Sequence, residues 1–142
     1  MTQAELNKVR NLRDEVDAEK QRLATLRLAV QNLSPVLDGM PHTPTQASRV
    51  EKLAVLILDS ERDLDELLVC LEDACVELSR KLKTAPLDPI EHKILVLRYV
   101  ACMSFTEIED AVNLSEARVY FWHRQGVQKL LDNKNDKTIV ER

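Results

Sequence analysis

A heptad repeat governs the first part of this chain. Val9, Leu12, Val16, Leu23, Leu26, Val30, Leu33 and Leu37 step by three and four residues, with Glu19 as the one miss. That spacing lays a single apolar seam along a helix and requires a second helix against it. Thr2 and Glu5 make a capping box for the start. Pro35 has no N–H to donate and predicts an end or kink near Leu33. Gly39, Pro41 and Pro44 then interrupt the pattern between Asp38 and Gln46. Thr43, Pro44 and Gln46 supply a cap, a first-turn proline and a third-position Gln for a second helix. Its seam is Val50, Leu53, Ile57, Leu64, Leu67, Leu71, Ala74 and Leu78, and it should run to about Lys83. Two long helices joined by a short loop predict an antiparallel hairpin over residues 1–83.

One partner helix covers only one stripe, and the second helix is apolar on more than one. Leu53 to Leu58 and Leu67 to Leu71 are apolar around the whole circumference. A helix of that kind must be buried on all sides. The cover must come from a second copy of the hairpin or from the C-terminal module. A homodimer with a four-helix core is the favoured reading, and intramolecular cover is the alternative. The chain's 142 residues bury only a modest core alone, which favours the same reading.

Composition narrows the function. Only 2 residues are Gly, so phosphate-cradling loops are excluded. Charged residues make up 31% and aromatic residues 4%, a balance of helical, coiled-coil-like chains. The net charge of -4 excludes a general electrostatic pull on nucleic acid, so any basic face must be local. No apolar run reaches transmembrane length, and MTQAELNKVR lacks the apolar core of a signal peptide. No membrane is expected as a partner. Cys70, Cys75 and Cys102 match no metal-ligand spacing. They are read as reduced, mostly buried thiols of a cytoplasmic protein.

Thr84 to Asp88 is the other clear break, and every aromatic residue lies beyond it. A module of three short helices is expected over residues 84–131, followed by a polar, fraying tail over 132–142. Asp88, Pro89 and Glu91 read as cap, first-turn proline and capping-box acid. Ile90, Ile94, Leu95, Leu97 and Tyr99 follow as the packed face. Ser104 and Glu107 start the next helix, with Phe105, Ile108, Ala111 and Val112 apolar. Asn113 stands where the chain reverses and tolerates the left-handed conformation. Leu114 plugs the turn and Ser115 caps the last helix. There Val119, Trp122, Gly126, Val127 and Leu130 recur at helical spacing.

A helix-turn-helix needs that arrangement. Its second helix is braced from behind and carries polar side chains into the major groove. The outward residues are Glu116, Arg118, Tyr120, Phe121, Arg124, Gln125, Gln128 and Lys129. Arg pairs with guanine edges or phosphates and Gln with adenine. Three basic residues against Glu116 give this helix the local positive charge that the acidic whole requires.

Residues 87 to 130 resemble region four of sigma factors. The shared features are the proline-started support helix, Leu97-Arg98-Tyr99, the Glu107-Ile108 pair, and Ser115 before a helix with Val119 and Leu130. The whole chain is similar to small phage-encoded sigma-like regulators of Gram-positive hosts, which join a helical hairpin to a region-four-like C-terminus. The resemblance implies an all-α fold, a long antiparallel helical hairpin followed by a three-helix helix-turn-helix module. It implies transcription regulation, double-stranded DNA as partner and a contact with host RNA polymerase. It places DNA contacts on Glu116, Ala117, Tyr120, Phe121 and Arg124. The sequence departs from the family at Ala117, which cannot bond a base edge, and at Phe121, which offers a thymine methyl an apolar contact. Glu109 stands for a small residue and Asn113 for the usual Gly.

Tyr120, Phe121 and Trp122 in a row suggest a stacking platform for single strands, but Trp122 is expected in the core. His92 and His123 have no Cys or carboxylate at ligand spacing, so no metal and no cofactor are expected. His123 is placed at the edge of the module's core. The acidic run Asp59, Glu61, Asp63, Asp65 and Glu66 reads as a solvated face. No nucleophile–base pair is present, and an enzyme is not expected. The alternatives to a regulator are a coiled-coil assembly or adaptor protein and the DNA-recognition subunit of a phage packaging complex.

Overall fold

The computed structural model describes the backbone of residues 1–37 and 44–140, and the side chains of residues 1–33 and 48–132. Among these the chain is all-helical. The elements are α1 (Gln3–Leu37), α2 (Pro44–Thr84), α3 (Pro89–Leu95), a π-helical turn (Val96–Val100), α4 (Phe105–Val112) and α5 (Glu116–Val140). The expected loop from Asp38 and its Thr43 cap lie outside the described residues, as do the side chains of Pro44 and Gln46.

The starts of the helices follow the sequence closely. The Thr2 amide donates to Glu5 Oε2 at 3.4 Å and the Glu5 amide to Thr2 Oγ1 at 3.2 Å, closing the capping box of α1. Two helix ends differ from expectation. α1 continues through Pro35 to Leu37. A proline this close to the end removes one hydrogen bond of the last turns without cutting a helix interior. α5 continues to Val140, past the expected fraying point at Asp132.

Packing divides the chain into two compact units. One holds residues 1–12 and 71–142, the other residues 13–70. Neither is bounded at residue 84. The aromatic composition changes there, while α1 and α2 each contribute residues to both units.

In the first unit Leu6, Val9, Ala74, Leu78, Leu82, Leu95, Tyr99 and Leu130 form one buried cluster. Leu6, Leu82 and Leu95 are fully buried. Each such side chain contributes about 1.5–3 kcal/mol relative to exposure. A second cluster centres on Ile94, Ile108 and Val119, with Phe105, Leu114 and Trp122 partly buried against it. Trp122, expected in the core, packs on this cluster and is half-buried.

In the second unit Val16 and Leu23 are buried on the α1 seam. Glu19 fills its break in the repeat with chemistry. Ser60, 1% exposed on the facing seam of α2, donates to Glu19 Oε1 at 2.6 Å. Arg27 reaches Glu61 at 3.0 Å in an exposed pair. The apolar surplus of α2 stays uncovered: Val55, Leu58 and Val69 are 57%, 64% and 57% exposed. Cys70 is exposed, and Cys75 and Cys102 are half-buried, so the thiols are less buried than expected; none forms a disulfide. Cys70 lies beside Val69 on the outer side of α2, away from the seam.

Among the described residues no helix is long and apolar enough to cross a membrane. None of their His, Cys, Asp and Glu side chains cluster in a metal-holding group of three or more.

Candidate nucleic-acid interface

The approach to α5 is built by three local devices. Ser104 caps α4, its hydroxyl accepting from the Glu107 amide at 3.2 Å. Asn113 takes the left-handed conformation, φ 56° and ψ 42°, and reverses the chain. Ser115 then caps α5, accepting from the Arg118 amide at 3.4 Å. A further left-handed residue, Cys102 with φ 58°, ends the π-helical turn. Nothing in its residue type announces that conformation.

Val119, Gly126 and Leu130 form the buried line of α5. Gly126 sits so close to α3 that a Cβ there would lie 2.8 Å from Leu95 Cδ1. The absence of a side chain is what lets the two helices approach. α4 braces the other flank through Phe105, whose ring lies 4.5 Å from that of Tyr120 and 5.1 Å, edge-on, from that of His123.

Behind the interface lies a polar knot. The Tyr99 hydroxyl shares a 2.8 Å hydrogen bond with His123 Nε2, and the two rings stack. Arg98 donates to the Met103 carbonyl at 3.0 Å and lies 4.2 Å above the Phe105 ring. Burial, and after it the charge of Arg98, holds the His123 imidazole below its ordinary pKa. Burial, and after it the charge of Arg10, does the same to the Arg98 guanidinium. Arg98, with Arg10 close enough for its charge to be felt there, adds positive charge to this knot outside the residues expected at the site. No local pattern links residues so far apart in the chain.

Of the eight residues expected to face outward, Glu116, Arg118, Tyr120, Phe121, Arg124 and Gln128 are exposed. Gln125 is half-buried. Tyr120 is as much brace as surface, given its contact with Phe105. Lys129 departs from expectation. Its Nζ lies 2.7 Å from Oε1 of Glu91 and 3.6 Å from Oδ2 of Asp88. Glu91 is accordingly not the capping-box acid of α3, and the Asp88 side chain makes no cap hydrogen bond. The carboxylate turns inward to α5 instead. Lys129 therefore spends its charge on α3, which leaves Arg118 and Arg124 as the cations of the outer face. Among the described residues neither forms an ion pair.

An open groove of about 560 Å³ runs along α5, lined by Tyr120, His123, Arg124, Val127, Gln128, Leu131 and Asp132. The arrangement offers two guanidinium groups, an amide and an apolar patch on one braced helix. That set suits contact with a polyanion. No family profile matches this chain, and comparison with curated proteins and with solved structures likewise finds no match.

Proposed function

We propose that this protein is a DNA-binding transcription regulator of the phage or prophage type. In this reading α4, the Asn113 turn and α5 form a helix-turn-helix, and α5 enters the major groove. One observation carries it: Arg118, Phe121, Arg124 and Gln128 stand exposed on a helix whose opposite line, Val119, Gly126 and Leu130, is buried. The resemblance to sigma region four supports the same assignment and names host RNA polymerase as a second partner.

Two cations per copy give weak attraction to phosphates, so pairing of copies matters. Two linked reading heads multiply each other's affinity when both reach their half-sites. The exposed Val55, Leu58 and Val69 of α2 supply an apolar stripe for a homodimer of long antiparallel helical hairpins.

The test is duplex binding at low salt by mobility shift, wild type against Arg124→Ala, on DNA from the chain's own upstream region. Binding that the variant loses supports the proposal. No binding by the wild type, or equal binding by the variant, gives way to the adaptor reading.

A further inference from the structure

The outermost line of α5 is mixed in character. At about 100° per residue, Ala117, Phe121, Arg124 and Gln128 fall within roughly 60° of arc, opposite the buried line. The N-terminal half of that arc is apolar. Ala117 is exposed, and Phe121 is 49% exposed. The Phe121 ring is also held in place. Its centroid lies 5.2 Å from that of Trp122 in an edge contact, and Trp122 packs on the second buried cluster. A positioned, half-exposed phenyl ring gains only when a partner covers it.

The surroundings choose the partner. Arg118 and Arg124 flank the ring, and no carboxylate occurs between residues 117 and 131. This charge suits a polyanion. In the major groove the apolar feature on a base edge is the thymine C5-methyl group. The N-terminal residues of the second helix in a helix-turn-helix are those that meet base edges. Resting on the DNA-binding reading above, we infer that Ala117 and Phe121 read thymine methyl groups and so set the sequence preference, with Arg124 reading or anchoring beside them.

Deoxyuridine isolates this contact, because it pairs like thymidine and lacks only the methyl group. The full chain is used to select duplexes from a random-sequence pool. A selected duplex is then resynthesised with single thymidines replaced by deoxyuridine. The wild type should lose roughly three- to fivefold in affinity per methyl removed at one or two adjacent positions. Phe121→Gln, with an unchanged melting curve, should bind the thymidine duplex more weakly and show no uridine penalty at those positions. Equal binding of every uridine duplex by the wild type overturns the inference and leaves the DNA-binding reading standing. A uridine penalty that persists in Phe121→Gln also overturns it. Selection of no duplex at all overturns both, and Phe121 then belongs to a protein interface.

Discussion

Nζ of Lys129 lies 2.7 Å from Oε1 of Glu91, a carboxylate only 1% exposed, and so ties α5 to α3. The second oxygen, Oε2, has no hydrogen-bond partner. The lysine is thus the main compensation for a buried negative charge. Lys129→Met should lower the melting temperature, and adding Glu91→Leu should recover much of the loss. The salt dependence of duplex binding should change little in Lys129→Met, whereas Arg124→Ala should reduce its slope by about one. Glu91 also holds the Lys129 ammonium above its ordinary pKa. The stability this adds is complete below the unfolded lysine value and is lost as pH rises through the folded one. Thermal melts in the alkaline range should show the loss in wild type and not in Lys129→Met.

Gly126 permits the same approach of helices. A Cβ there would lie 2.8 Å from Leu95 Cδ1 and 3.3 Å from its Cγ, and Leu95 is fully buried. Overpacking of this kind costs about 1–3 kcal/mol, against a helix-propensity gain of about 1 kcal/mol from Gly to Ala. Gly126→Ala should therefore be destabilising on balance by denaturant unfolding. Leu95→Val in the same chain should relieve part of it. A more stable Gly126→Ala would show that α3 moves aside freely.

His123 makes the module acid-sensitive. Its pKa is lowered in the folded state, first by burial and then by Arg98. Above the unfolded value both states are neutral and nothing is lost. As pH falls below that value the unfolded chain takes up the proton first, and stability declines until the folded value is passed. Unfolding followed from pH 7 downwards should show this decline, and His123→Phe should remove it. His123→Phe should also lose the hydrogen bond to Tyr99.

Leu58 tests the dimer without attacking the monomer's core. It is 64% exposed, so a charge there buries nothing within one copy. Leu58→Asp should halve the mass seen by light scattering at micromolar concentration while keeping the helical circular dichroism. A wild-type mass of one chain would remove the dimer from the proposal.

The sequence was most informative where one residue type meets one local requirement. The steps of three and four named Val9, Val16, Leu23, Ala74 and Leu78 as inward residues, and all five are buried. Asn113 and Ser115 were legible because few side chains suit a left-handed turn or a cap. Legibility failed where two distant segments had to be matched. Glu19 reads as a flaw until Ser60 faces it. Lys129 looks like a phosphate ligand until Glu91 is seen beneath it. The composition shift near residue 85 separates segments of different chemistry, but packing follows apolar surface and draws Leu6 and Leu82 in with Tyr99.

Leu6 and Val9 share a core with Leu95, Tyr99 and Leu130, so the first turns of α1 meet partners that are made much later. Pairing across so long a stretch of chain is entropically late in folding. Until α5 is made, this cluster lacks the cover that Leu130 supplies, and its apolar side chains are that much more open to other chains in a crowded cell. Completion of this core then waits on α5, the same element proposed to read DNA. A copy cut short before α5 would lack both the proposed reading helix and part of the cover over its own first turns.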